Sequence, residues 1–146
     1  MSKTKIEWCD YYKGWVEALI DGEGSLTIVK EKRPHFSAGV TFKPQMQIGN
    51  KSLPLLEQAK SVIGGGCIYK KRTDSFYYYV ANSGILRGFL PKINLIVKEY
   101  QRRLLIDALV ILNRHVDKNK PRTPDELNKL NAYYVSVRMA NGRNAI

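Results

Sequence analysis

Hydrophobic and polar positions change period several times along this chain, and each change marks an element. Tyr12, Val16 and Ile20 recur at helical spacing, with Trp15 and Leu19 beside them. Gly14, Ala18 and Gly22 fall four apart, so this helix also carries a column of very small residues that lets a second helix backbone approach closely. From Ser25 the period drops to two. Leu26 and Ile28 share one face, and Thr27, Val29, Glu31 and Arg33 share the other. A basic tip, Lys30 to Pro34, turns the chain into a second alternating run. Val40, Phe42, Met46 and Ile48 point one way, while Thr41, Lys43, Gln45 and Gln47 point the other. Pro44 lacks an N–H for the ladder, which predicts a bulge or an edge position.

Ser52-Leu53-Pro54 opens a second helix with Ser52 as N-cap, an apolar face of Leu55, Leu56, Ala59, Val62 and Ile63, and a stop at Gly64-Gly65-Gly66. A second hairpin runs from Cys67 to Arg72, turns at Thr73-Asp74-Ser75 and returns from Phe76 to Ala81. With Ile68, Tyr78 and Val80 inward, Cys67, Tyr69, Lys71, Tyr77 and Tyr79 face outward. Ser83 to Leu90 is a short helix ended by Pro91. A long helix from about Val97 to His115 follows, its apolar positions being Tyr100, Leu104, Leu105, Ala108, Leu109 and Leu112. The basic linker Lys118 to Arg122 leads to a last helix, about Asp125 to Met139, capped by Thr123 with Pro124 at its first position; Arg138 and Arg143 lie in its basic tail. This order predicts an α+β fold: a four-stranded antiparallel sheet with helices on one face and a polar opposite face. A single domain over residues 1–146 is expected, with a core at about 8–115 and a C-terminal helix and tail at 116–146.

Charge changes the picture of that polar face. The 146 residues carry a formal net charge of +11, with a pI near 9.7, which points to a polyanionic partner such as nucleic acid. No apolar run is long enough to span a bilayer and no targeting segment is evident, Ser2 to Lys5 leading straight into structure. An intracellular setting with access to DNA is the expectation. The two cysteines, Cys9 and Cys67, make neither a disulfide framework nor a zinc site, and His35 and His115 are too isolated to form a metal pair. Without a Ser-His-Asp arrangement, hydrolysis by this chain should be metal-assisted.

The stretch that carries chemistry is Trp15 to Gly24, where the first helix meets the first strand. Glu23 sits at the negative end of the helix macrodipole, where a carboxylate is disfavoured by roughly 0.3–1 kcal/mol. The last carbonyls of that helix also lack intrahelical partners. A carboxylate beside free carbonyls is a poor proton donor but a good place for Mg2+, which takes oxygen ligands. Read alone, Asp21-Gly22-Glu23-Gly24 is equally a polar turn.

Val16-Glu17-Ala18-Leu19-Ile20-Asp21-Gly22-Glu23-Gly24, followed by the strand Ser25-Leu26-Thr27-Ile28, resembles the signature of the LAGLIDADG homing endonucleases. Glu17 replaces a usually small residue and Ala18 the usual glycine; Glu17 has Lys13 within reach, four residues earlier. The resemblance implies an α-β-β-α-β-β-α core whose sheet binds DNA. It implies a homodimer paired along Gly14, Ala18 and Gly22, which brings two Glu23 carboxylates together. The implied metal donors are Glu23 and the Gly22 carbonyl, holding Mg2+, with Mn2+ or Ca2+ fitting the same oxygen donors. Asn50 falls where relatives carry a water-positioning Gln. Lys98 matches a basic residue near the scissile phosphate, although it also reads as a solvated lysine at a helix start. Asp21 reads as a cap or brace of the motif.

The implied reaction is metal-assisted hydrolysis of both strands of a long pseudo-palindromic target in double-stranded DNA. Expected DNA contacts are Arg33, Lys43, Gln45, Gln47, Tyr69, Lys71, Tyr77 and Tyr79, with Glu31 accepting from a cytosine amino group. Tyr77 and Tyr79 fit cross-strand packing equally well. Lys30, Lys32, Lys70 and Arg72 read as phosphate contacts or as solvated edge charges. Two other functions suit the same scaffold: a maturase acting on intron RNA, and a non-cleaving DNA-binding regulator. Retention of Glu23 favours cleavage over the last.

Overall fold

The structure is a computed structural model that describes residues 9–142 except 37 and 118. Ser2 to Lys5, the core's expected start at residue 8, Lys118 in the linker and Arg143 in the tail lie outside the described residues. The elements run in the expected order: α1 (Asp10–Glu23), β1 (Gly24–Lys32), β2 (Val40–Asn50), α2 (Leu53–Ile63), β3 (Cys67–Arg72), β4 (Ser75–Val80), α3 (Ser83–Phe89), α4 (Glu99–Leu112) and α5 (Pro124–Ala140). Pro91 sits in a 3₁₀ turn, Leu90–Lys92, directly after α3. The four strands form one antiparallel sheet in the order β1-β2-β4-β3. Among the described residues no helix is long and apolar enough to cross a membrane.

The two-residue alternation decides which face the helices cover. Leu26, Ile28, Phe42, Met46, Ile48, Tyr78 and Val80 are buried on one side, against Val16 and Ile20 of α1, Leu56 and Ala59 of α2, and Leu105 and Ala108 of α4. Each of the buried Val, Leu, Ile, Phe and Met side chains contributes roughly 1.5–3 kcal/mol on burial. Tyr78 is fully buried and spends its hydroxyl on the Gly65 carbonyl. Burial pushes that phenol above its ordinary value. Pro44 joins the buried side without a bulge: it pairs with Ile28, and β4 reaches β2 only from Met46 onward, so β2 is locally an edge strand there.

Local chemistry sets most of the boundaries. Ser52 accepts from the Leu55 N–H at 3.3 Å, and Gly64 closes α2 in the left-handed region at φ 95°. Thr123 and Glu126 form a capping box at the start of α5. That helix buttresses the others rather than standing apart. Asn141 Nδ2 donates to the Leu26 carbonyl at 3.0 Å, and Phe42 meets Tyr134 edge-on with centroids 6.2 Å apart.

Three expectations need correction. Tyr12 does not accompany Val16 and Ile20 into the core, because the first turn of α1 extends past the sheet and leaves Tyr11 and Tyr12 exposed. The long helix starts at Glu99 rather than Val97, and ends at Leu112 rather than His115. Its expected first turn is drawn off to bond the end of α1, which leaves Tyr100 58% exposed instead of on the apolar face. Lys30 is on the helix side, where it donates to Asn131 Oδ1 at 2.9 Å and lies over the rings of Phe42 and Tyr134.

Candidate functional site

Glu23 is the last residue of α1, and Gly24 begins β1 without an intervening loop. So abrupt a turn leaves no room for a side chain: a Cβ on Gly24 would lie 2.9 Å from the Ile20 carbonyl oxygen. Glu23 is exposed, and among the described residues nothing pairs with its carboxylate. Gly14, Ala18 and Gly22 are exposed too, with open space beside both glycines. One side of α1 therefore enters the core while the small-residue column stays bare.

The segment before α4 closes on this corner. Lys98 Nζ donates to the carbonyls of Ile20 at 3.0 Å and Asp21 at 2.6 Å, placing a cation at the negative end of α1. Asp21 in turn accepts from the backbone N–H groups of Ile96 at 2.7 Å and of Val97 and Lys98 at 3.1 Å each. Its bracing role is thereby visible. Glu17 accepts from Asn94 N–H at 2.6 Å and from Lys13 at 2.8 Å. Burial raises the Glu17 carboxyl, but the Lys13 and Asn94 bonds outweigh it and the net direction is down. Across the β1–β2 ladder Gly24 faces Ile48, so Asn50 lies two residues on, at this same end of the sheet. Its side-chain carbonyl accepts from Ser52 N–H at 2.8 Å, and among the described residues nothing accepts from its Nδ2.

The donor set suits a hard divalent cation in kind. A carboxylate and helix-end carbonyls are all oxygen ligands, and Mg2+ binds through one or two carboxylates plus waters and phosphates rather than an all-protein cage. Lys98 takes the Ile20 and Asp21 carbonyls, which makes Gly22, next in the chain, the carbonyl to consider. Among the described residues no group of three or more acidic, histidine or cysteine side chains could hold an ion. At this corner the chain offers Glu23 as the carboxylate without a partner among the described residues.

The polar face of the sheet begins beside this corner. Gln47 lies between Ser25 and Tyr79, Gln45 opposite Thr27 and Lys43 opposite Val29. Tyr79 donates to Gln45 Oε1 at 2.8 Å, and Tyr69 and Tyr77 pair with ring centroids 5.3 Å apart. Gln47, Tyr69, Lys71, Tyr77 and Tyr79 line one open groove of about 640 Å³. A hydrogen bond with Cys67 raises the exposed Tyr69 phenol. The sheet register shifts between Lys70 and Arg72, bringing Arg72 opposite Ser75. Paired residues share a face, so this irregularity turns Arg72 to the side of Tyr77, where simple alternation would have sent it away. Glu31 and Arg33 stand apart near the β1–β2 tip, paired with each other at 2.8 Å.

The decisive comparison is with a family described as LAGLIDADG endonuclease, whose profile matches residues 18–103, from the middle of α1 into α4. The chain belongs to this family. Among curated proteins no sequence relative matches this LAGLIDADG endonuclease. It is similar to the homing endonuclease I-CvuI, solved in complex with the I-CreI target in the presence of Mg, with a TM-score of 0.77 and 16% identity over 89% of this chain and 82% of that one. An archaeal intron-encoded homing endonuclease complexed with DNA gives a TM-score of 0.77 and 22% identity over 90% of this chain and 84% of that one. I-SmaMI, bound to an uncleaved DNA target with calcium ions, gives 0.74 and 25% over 85% of this chain but only 44% of that one. These likenesses show the fold: a four-stranded antiparallel sheet with helices on one face, shared with solved homing endonucleases.

Proposed function

We propose that this chain is a site-specific homing endonuclease that acts as a homodimer and makes a double-strand break in a long pseudo-palindromic DNA target by metal-assisted hydrolysis. The observation that carries the reading is the exposed Glu23 carboxylate, without a partner among the described residues, at the end of a helix whose Ile20 and Asp21 carbonyls take Lys98 and whose column of small residues is bare. A structural acid in that place would be expected to have a partner. A pairing of two chains along Gly14, Ala18 and Gly22 brings two Glu23 side chains near the symmetry axis. Like charges so close repel, and divalent cations relieve the repulsion.

Glu23, with the Gly22 carbonyl, would hold a divalent cation, Mg2+ first among candidates. When bound, that ion supplies Lewis-acid polarisation of a phosphate and lowers the pKa of a water. The remaining work falls to the chain itself. Lys98 has three donors and spends two on α1, so one is left for a phosphate oxygen. Asn50 keeps its amide donors for a water or phosphate at the same end of the sheet. Gln45, Gln47, Tyr69, Lys71, Arg72, Tyr77 and Tyr79 cover the central and outer strands with groups that suit base edges and phosphates, and Glu31, Arg33 and Lys43 extend that face toward the tip. Each sheet of the dimer would read one half of the target.

The test is a selection on randomised duplex DNA with Mg2+, mapping both strands of the products, followed by Glu23→Gln on the selected site. The variant should bind with unchanged affinity and fail to nick either strand. Cleavage that survives Glu23→Gln would overturn the metal role. Intron splicing stimulated by wild type and variant alike, without cleavage by either, would replace the reading with a maturase.

A further inference from the structure

Most helix starts in this molecule close themselves. Ser52 caps α2, Asn82 caps α3 through Ile85 N–H at 3.0 Å, and Thr123 caps α5, each with its own side chain. The start of α4 differs. Lys98 occupies the N-cap position with no side-chain cap of its own. The N–H groups of Ile96, Val97 and Lys98 go instead to Asp21, some 75 residues earlier and two residues from Glu23. Glu17, one turn back on α1, takes Asn94 N–H in the same way. That carboxylate stands where the family signature has a small residue, and this tie gives it a use.

Packing does not hold this segment alone. Ile96 is 93% exposed and Val97 70% exposed, so two of its side chains contribute little burial while four of its backbone donors are bound by α1. The bonds also run in both directions. Asp21 holds the backbone of Lys98, and the ammonium of Lys98 returns to the Ile20 and Asp21 carbonyls. The consequence is that the ammonium and Glu23 are referenced to one rigid helix end rather than to two independent elements.

We propose that Asp21, backed by Glu17, is a positioning residue that fixes the Lys98 ammonium relative to Glu23. This rests on the reading of Lys98 as a catalytic group. Asp21 touches neither substrate nor ion in this role. It acts through the backbone of 96–98, where misplacement of a reacting group by about 1 Å costs on the order of 100-fold in rate.

The experiment is a double-mutant cycle between Asp21→Asn and Lys98→Met, with amide hydrogen exchange on the metal-free, DNA-free protein as a second readout. Asparagine turns one acceptor into a donor facing Ile96 N–H, so amides 96–98 should exchange about tenfold faster or more, as loss of a charged hydrogen bond requires. Single-turnover cleavage should fall about 100-fold with DNA affinity retained, and Asp21→Asn should cost nothing further once Lys98 is methionine. Should Asp21→Asn not fold, Glu17→Ala tests the outer tie. It should speed exchange at Asn94, slow cleavage by a smaller factor and likewise add nothing to Lys98→Met. An equal loss in both Lys98 backgrounds, protection kept at 96–98, or full cleavage by Lys98→Met would overturn the proposal. Absence of cleavage from the wild type on any selected target would instead sink the endonuclease reading, leaving the exchange result to judge the clasp.

Discussion

Two helix C-termini in this molecule are dressed alike and left in different states. At the end of α1, Lys98 donates to the Ile20 and Asp21 carbonyls. At the end of α4, Arg122 donates to the Ile111 and Leu112 carbonyls, the bond to Ile111 being 2.8 Å. Each corner also holds a carboxylate strongly depressed by arginine. Glu99, gripped by Arg102 at 2.7 Å through both oxygens, is pulled down to about 2. Glu126, gripped by Arg114 and bonded by Thr123, is likewise pulled down to about 2. The difference is Glu23. The α4–α5 corner spends its acid, Glu126, on structure, and the α1 corner does the same with Glu17, Asp21 and Glu99 but adds Glu23, which has no partner among the described residues. A cation on helix-end carbonyls is thus ordinary architecture here, and the surplus carboxylate is what sets a working corner apart.

The sharpest way to break that contrast is to remove the surplus charge. Glu23→Gln should reduce cleavage by at least about 100-fold, a loss typical of removing one charge-stabilising group. Stability should hold or rise, because an acid at a helix C-terminus costs roughly 0.3–1 kcal/mol. Single-turnover rates and thermal melts on the same preparation read both. A melt that drops sharply would mean that Glu23 is structural after all and the two corners are equivalent.

Next in size is Gly24→Ala. The added Cβ would sit 2.9 Å from the Ile20 oxygen and 3.0 Å from its Cα, both backbone atoms that cannot swing away. A loss of about 1–3 kcal/mol is expected, as for overpacking elsewhere. Since the Ile20 carbonyl also receives Lys98, cleavage should fall beyond what the lost stability explains. The α4 exit offers a control: it leaves through Asn113 in right-handed helical geometry, at φ −69° and ψ −22°, and the Asn113 side chain accepts only an exposed bond from Arg87, so Asn113→Ala should be mild. Chemical denaturation curves for both variants check the ranking.

How much of this was legible in the residues follows from how far each contact reaches along the chain. Caps at Ser52 and Thr123, the stop at Gly64 and the two-residue alternation of β1 and β2 involve neighbours, and each reads directly from local spacing. Lys98 also read as a solvated lysine at a helix start, because its partners, Ile20 and Asp21, lie 78 and 77 residues away and nothing near it points to them. The same distance hid the late start of α4, since Val97 and Lys98 look helical until Asp21 claims their amides. Lys30 looked like an edge charge because it alternates with Val29 and Glu31 at a basic tip. Its stem instead follows the apolar side to α5, whose docking on β1 no local pattern announces. Arg72 reached the polar face only through the register shift in β3, and a single irregularity defeats parity.

Acid should weaken both corners together. Glu99 and Glu126 have folded values of about 2 against an ordinary 4.5. Their contribution is therefore complete above pH 4.5 and drains away as pH falls toward 2. Urea midpoints measured from pH 7 down to 2 should stay level with respect to these groups until about 4.5 and then decline. Glu126→Gln should lower the midpoint at pH 7 and flatten the decline, leaving the share due to Glu99 and to growing positive charge. Cleavage at pH 7 should survive that substitution. A decline as steep as in wild type would show that Glu126 does not hold its corner.

The smallest effect expected lies on the same helix, one residue from Glu126. Asp125 pairs with Lys129 at 3.3 Å, but both side chains are largely exposed, at 76% and 58%. An exposed pair four residues apart on a helix contributes about 0.3–0.5 kcal/mol, and the favourable place of an acid in the first turn adds a similar amount. Asp125→Asn removes the charge and leaves the capping box alone, so the urea midpoint should shift by much less than for Glu126→Gln, and most of the shift should vanish in high salt. Glu126 is instead held by Arg114, Thr123 and Arg122 together, which screening weakens much less. Salt-sensitive loss at Asp125 and salt-resistant loss at Glu126 would separate a solvated charge from a built one. Applied then to the α1 corner, the same salt titration on Asp21→Asn should give the built-in kind.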